Sequence, residues 1–237
     1  MDRSADDWQE LAKREPYFAV LTDERFLTAH TTPEARKAFF ATGEADVAAL
    51  LAQIGFAPKS ALDFGCGVGR LTIPLANRVE RVVGYDVAPA MLEIARRNAA
   101  ETGVGNVMFT TELEGSFELI CSLIVFQHIP VARGMELLAK LASMLEPGGV
   151  AALHITFRRP GGRVRRIARG IRARFRFVHR IASKLAGDRR GLPYMQMNEY
   201  DENEVARVFA AAGCSEVNRT ATSDGGIEGA VLLVRRY

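Results

Sequence analysis

One nine-residue stretch constrains this chain more than any other: Leu62-Asp63-Phe64-Gly65-Cys66-Gly67-Val68-Gly69-Arg70. The apolar run Ala61 to Phe64 reads as a short buried strand, and Val68 to Asn77 as an amphipathic helix. Alternate glycines between them make a turn that lets a ligand come close to the backbone. The helix start offers unpaired N–H groups to an anionic part of that ligand. A nicotinamide-type turn, G-x-G-x-x-G, would put a glycine where Arg70 stands. The pattern here is acid-x-G-x-G-x-G, from Asp63 through Gly69.

At the spacing of an α/β nucleotide site, about 20 residues on, comes Val82-Val83-Gly84-Tyr85-Asp86-Val87-Ala88-Pro89-Ala90-Met91-Leu92. Its apolar start is a second strand, and Asp86 stands at the C-terminal end. A carboxylate there can accept hydrogen bonds from both hydroxyls of a ribose. Pro89 opens a helix that runs to about Thr102 and stops at Gly103. Asn106 to Thr110 is a third strand. Phe117 to Leu123 is a fourth, leading into Phe126-Gln127-His128-Ile129-Pro130. After one more helix, Met144-Leu145-Glu146-Pro147-Gly148-Gly149 turns into the strand Val150 to Phe157. In this order the four blocks, from Ala61 to Phe157, resemble the landmarks of the class I S-adenosylmethionine-dependent methyltransferases.

The resemblance implies an α/β fold with a doubly wound, mainly parallel seven-stranded sheet, and S-adenosylmethionine as cofactor. It implies that Asp63 orients the methionine ammonium, directly or through water, and that backbone at Gly65 and Gly67 lies against the methionyl part. Asp86 is the ribose ligand. Glu112 is the candidate for the adenine amino group, although the stretch from Thr111 to Ser116 is shorter than the family usually shows. Cys66, Arg70, Val87, Met91 and Ser122 complete the expected cofactor set. Gln127 and His128 sit at the C-terminal end of a strand, where ligands of open α/β sheets bind, and are the catalytic candidates. His128 could serve as a base or hold substrate; a structural hydrogen-bonding role is the simpler alternative. His154 lies inside an apolar strand and reads as a satisfied core residue. No His or Cys spacing suggests a metal site.

Methyl transfer from a sulfonium is an in-line displacement in which the protein aligns the partners and excludes water. A dedicated base is needed only where the nucleophile is protonated at working pH. Cofactor motifs can therefore be clear while catalytic residues are not.

Residues 1–45 precede the first strand and read as a helical extension to the methyltransferase domain, 46–237. Asp6-Asp7 starts a helix that Pro16 ends. Thr32 caps another that enters at Pro33 and runs to about Phe40, and Gly43 separates it from a third, Glu44 to Ile54. Packing on the core is the simpler reading of Trp8, Tyr17 and Phe18. The resemblance adds that such an extension often folds over the cofactor, and Tyr17 and Tyr194 are the candidates for substrate contact. Asp201 to Ala212 reads as a helix, followed by two closing strands, Ser215 to Ala221 and Gly229 to Tyr237.

Charge divides the chain unevenly. Arg158 to Arg190 holds 13 Lys+Arg and one acid, a net of +12, whereas the remainder carries −9. Within this insertion, 158–192, the pattern from Gly162 to Ala186 reads as one amphipathic helix placed after the fifth strand. Its apolar stripe includes Val164, Ile167, Ile171, Phe175, Val178 and Leu185, with arginines opposite. Such a helix fits a lid over the pocket that also docks on anionic lipid headgroups or an acidic substrate; a solvated outer face is the plainer alternative. Cys66, Cys121 and Cys214 are scattered, which fits a reducing compartment. Without a signal or an apolar run long enough to span a membrane, the expected place is the cytoplasm, or the periphery of the inner membrane surface.

The function these features favour is methyl transfer to a small-molecule or lipid-type acceptor. An RNA methyltransferase that grips phosphates with the arginines, and a cofactor-binding protein without activity, are the alternatives.

Overall fold

The computed structural model describes residues 4–30, 32–158, 191–193, 195–224 and 226–237. Almost all of the basic insertion expected across 158–192 lies outside the described residues, and so does Tyr194. Seven strands form one sheet: β1 Ser60–Phe64, β2 Arg81–Tyr85, β3 Val107–Thr110, β4 Phe117–Ser122, β5 Leu145–Arg158, β6 Cys214–Asp224 and β7 Ile227–Arg236. Their order is β3-β2-β1-β4-β5-β7-β6. The first five strands pair in parallel, and β7 runs antiparallel to both β5 and β6. The expected mainly parallel, doubly wound α/β sheet is therefore present.

Alternation along each strand builds two cores. On one face Leu62, Phe64, Ile120, Leu153 and Ile155 pack against α6 (Val131–Met144) and α7 (Glu202–Ala211) through Leu138, Leu141, Val205 and Phe209. On the other, Ala61, Val82, Leu119, Cys121 and Ala152 meet α3 (Pro33–Ile54) and α4 (Thr72–Ala76) through Val47, Leu50 and Leu75. Strands buried on both sides need no polar face, and the centres of β1 and β4, Ala61-Leu62 and Leu119-Ile120-Cys121, are apolar on both.

The N-terminal layer begins with α1 (Ser4–Arg14) and α2 (Pro16–Val20) and packs with α5 (Pro89–Thr102) in a third cluster around Leu11, Phe26, Phe39 and Met91. Two local readings are corrected here. Gly43 does not divide two helices: α3 is continuous, capped at Thr32, whose side chain accepts from the Ala35 N–H. The absent side chain serves packing, since a Cβ at Gly43 would sit 2.0 Å from the Arg70 carbonyl oxygen. The helix expected from Val68 starts only at Thr72, because Gly65, Gly67 and Gly69 all adopt positive φ. None of the helices among the described residues is long and apolar enough to cross a membrane.

Candidate active site

The glycine turn leaves β1 and folds back over the end of β2. The N–H groups of Gly65 and Cys66 both donate to the Tyr85 carbonyl, at 2.8 and 2.9 Å. Gly65 (φ 79°) and Gly67 (φ 52°) occupy the left-handed region, where a side chain would be strained. A Cβ on Gly67 would lie 2.6 Å from Val20 of α2, and one on Gly65 2.5 Å from Val125. The turn is thus held between the N-terminal layer and the segment after β4.

Asp86 closes this arrangement. One carboxylate oxygen accepts from the Gly67 N–H and the other from the Ala88 N–H, each at 2.9 Å. Burial pushes its carboxyl up to about 6 despite those donors.

Next to the turn is a cavity of about 200 Å³. Gly65, Gly67, Asp86, Val87 and Met91 line one side, and Leu123, Ile124, Val125, His128 and Ile129 line the other. Trp8 and Val20, from the N-terminal layer, also line it, as do Phe64 and Tyr85, which stack with ring centroids 5.1 Å apart. Trp8 meets His128 edge-on, with centroids 5.1 Å apart. Ile124, at φ 64°, is the only described residue other than glycine with positive φ. A β-branched side chain held there is backbone strain at the cavity wall.

His128 is nearly buried, and both ring nitrogens are engaged. Nδ1 lies 2.6 Å from the Gln196 carbonyl oxygen, and Nε2 lies 3.2 Å from the Gln127 amide nitrogen. The Gln196 carbonyl can only accept and the Gln127 amide nitrogen can only donate, so the proton sits on Nδ1 and the lone pair on Nε2.

Five of the expected cofactor residues, Gly65, Gly67, Asp86, Val87 and Met91, therefore meet at one cavity, and His128 faces it. The others are placed elsewhere. Alternation along β1 sends Asp63 away from Phe64 and the cavity. Its carboxylate accepts from the Thr72 hydroxyl at 2.6 Å and lies 3.8 Å from the Cys121 sulfur. Burial raises Asp63 to about 6 as well, with the Thr72 hydrogen bond opposing the rise. Cys66 is buried beneath the turn. Arg70 is buried against α3, donating to Asp46 at 2.5 Å, and fastens the turn to that helix. Glu112 is exposed after β3, away from the cavity. Ser122 is fully buried, outside the cavity walls, and its hydroxyl has no partner among the described residues. Gln127 stands behind His128, accepting from the Thr156 hydroxyl at 3.3 Å. Tyr17 is not a wall residue, since its hydroxyl donates to Asn98 at 3.0 Å within the packed N-terminal layer.

Trp8, Val20, Tyr85, Ile124 and Arg133 line the cavity without having been assigned from sequence. For Tyr85 the signal was available in its place before Asp86 at a strand end. Trp8, Ile124 and Arg133 carry no comparable local pattern.

A mainly parallel sheet with the 3-2-1-4-5-7-6 order and a glycine turn facing a strand-end acid defines a class. Residues 61–149 match the family model described as a methyltransferase domain, and the fold around them is that of the class I S-adenosylmethionine-dependent methyltransferases. Among similar proteins, ribosomal protein L11 methyltransferase of Azotobacter vinelandii is 36% identical over 110 residues, covering 46% of this chain and 38% of that protein. Ubiquinone biosynthesis O-methyltransferase of Marinobacter nauticus is 32% identical over 106 residues, covering 41% of this chain and 44% of that protein. The chain thus spans less than half the length of these curated relatives. In fold it is similar to magnesium protoporphyrin IX methyltransferase from Synechocystis PCC 6803, with a TM-score of 0.67 at 21% identity over 100% of both chains.

Proposed function

We propose that the protein is an S-adenosylmethionine-dependent methyltransferase acting on a small-molecule or lipid-type acceptor. The observation that carries this reading is the cavity between the Gly65–Gly67 turn, Asp86 and His128. Its donor set suits the cofactor. Asp86 offers carboxylate oxygens to ribose hydroxyls, the glycine turn brings backbone close to the methionyl part, and Val87 and Met91 offer apolar surface to an adenine. When bound, the cofactor supplies a methyl group on a sulfonium, already joined to a good leaving group. The chain's own residues position and desolvate. Trp8, Val20, Ile124 and Ile129 exclude water. His128 presents the Nε2 lone pair, which can take a proton from an acceptor hydroxyl once the Gln127 amide yields. The apolar walls favour an acceptor with an apolar body, consistent with one relative being named a ubiquinone O-methyltransferase. The +12 stretch suits an anionic surface beside such an acceptor.

RNA is the second reading, since the same arginines suit phosphates. The test is mass spectrometry of cell extract divided into lipid, small-molecule and RNA fractions after incubation with methyl-labelled cofactor. Label in the small-molecule or lipid fraction is expected. Label in RNA alone would replace this reading with the second. Binding of S-adenosylhomocysteine without transfer to any fraction would reduce the protein to a cofactor-binding one. Binding itself can be followed through Trp8, the only tryptophan in the chain.

A further inference from the structure

The turn that carries His128 is poorly held by its own residues. It is a single three-residue 3-10 turn, Phe126–His128, without a side-chain cap, and it follows the strained Ile124. Conformations of this kind persist only when the surroundings over-determine them. Here much of that support comes from one segment about 70 residues away, 195–200, which runs in no helix or strand before α7. The Asn198 N–H and its side-chain Nδ2 both donate to the Gln127 carbonyl oxygen, at 2.6 and 3.2 Å. The Tyr200 hydroxyl bridges the carbonyls of Phe126 and Ile129, at 3.0 and 2.9 Å, and its N–H donates to Thr156 at 2.9 Å. Gln196 supplies the carbonyl that receives His128 Nδ1.

These contacts divide into two tasks. The Gln127 carbonyl belongs to the peptide unit joining Gln127 to His128, so fixing that oxygen fixes where the imidazole begins. The Gln196 carbonyl, two residues before Asn198, fixes which nitrogen carries the proton. Asn198 anchors both, holding the turn directly and the Gln196 carbonyl through the short chain between them. We propose that Asn198 is a positioning residue for His128, keeping the imidazole in the Nδ1–H tautomer with its lone pair on Nε2. The proposal rests on the reading of His128 as the proton acceptor. Tyr85, Asp86 and Arg133 line the same cavity and are the titratable and charged groups there that bear on the ring's charge.

The test uses the full chain labelled with nitrogen-15, free and loaded with S-adenosylhomocysteine. Imidazole nitrogen shifts separate a protonated from an unprotonated ring nitrogen, and His128→Gln identifies the His128 signals. Wild type should show a protonated Nδ1 and an unprotonated Nε2. Asn198→Ala should turn this into a mixture of tautomers while S-adenosylhomocysteine affinity stays within about twofold. With an acceptor in hand, kcat should fall about tenfold, as expected for one lost hydrogen bond to the positioning framework. A wild type with protonated Nε2, or Asn198→Ala with an unchanged single tautomer, would overturn the proposal. If Asn198→Ala does not fold, Asn198→Ser is read the same way. Failure of wild type to bind S-adenosylhomocysteine would sink the proposed function instead, and the tautomer of the free protein would still decide the role of Asn198.

Discussion

Two buried carboxylates flank the glycine turn, and their protonation should pull stability and cofactor affinity in opposite directions. Asp63 and Asp86 are each raised from the usual 3.8 to about 6, mainly by burial. A carboxyl raised in the folded state binds its proton more tightly there than in the unfolded chain. The stability these two carboxyls contribute is therefore greatest below about pH 4, declines as pH rises from about 4 to about 6, and levels off above that. For one carboxyl the shift amounts to at most about 3 kcal/mol. Asp63→Asn keeps an oxygen for Thr72 while removing the charge. Denaturant unfolding should then show a smaller loss of stability between pH 4 and pH 8 than in wild type, by up to about 3 kcal/mol; an unchanged loss would show that Asp63 is not the titrating group. Affinity should run the other way, because the Asp86 carboxylate accepts hydrogen bonds better than the protonated acid. Calorimetry with S-adenosylhomocysteine should find constant affinity above about pH 7 and weaker binding below about pH 6. Asp86→Ala should lose about 1.5–3 kcal/mol for each charge-assisted bond to ribose and should flatten the pH dependence. If Asp86→Ala keeps wild-type affinity, Asp86 is not the ribose ligand.

At the scale of elements, α3 gives a test in which propensity and packing disagree in sign. Alanine is favoured over glycine in a helix interior by about 1 kcal/mol, so Gly43→Ala would stabilise an isolated α3. In the folded protein the added Cβ meets backbone, the Arg70 carbonyl at 2.0 Å, and cannot be accommodated by a side-chain rotation. Overpacking of this kind costs about 1–3 kcal/mol. Gly43→Ala should therefore lower the melting temperature and weaken cofactor binding, because Arg70 directly follows the glycine turn; a stabilised variant would refute the contact. The same residue shows what could be read in advance. Thr32 and Gly103 mark helix ends correctly because capping is local chemistry, and β1, β2 and β4 announce themselves because burial on both faces favours short apolar runs such as Ala61-Leu62, Val82-Val83 and Leu119-Ile120-Cys121. Gly43 reads as a break because sequence records its propensity but not its neighbour. The placement of the N-terminal layer is hidden for the same reason: Trp8 reaches His128, and Gln9 accepts from the Ala90 N–H at the start of α5, across long sequence separations. Strand alternation could have warned that Asp63 and Phe64 face opposite ways. Nothing periodic marks 195–200 as the support of the His128 turn.

For the whole molecule the relevant quantity is the separation of charge. A net of +3 over 237 residues conceals +12 between Arg158 and Arg190 against −9 elsewhere. Basic residues near an anionic bilayer contribute about 1 kcal/mol each, so even a few engaged arginines would hold the protein there. That attraction acts over a screening length of roughly 10 Å at 0.1 M salt and roughly 3 Å at 1 M. The acidic remainder of the chain competes for the same arginines, and only a binding measurement decides between the two partners. Co-sedimentation with vesicles should show binding to anionic but not neutral lipid at 0.1 M salt, with release at 1 M. Replacing Arg165, Arg166, Arg169 and Arg172 together by Gln should abolish sedimentation and leave S-adenosylhomocysteine affinity unchanged, since the residues proposed to hold the cofactor line the sheet-end cavity. Salt-independent binding to both vesicle types would point to apolar insertion. No binding to either would leave the acidic body as the partner of the arginines and remove the membrane from the proposed function, with the methyltransferase reading intact.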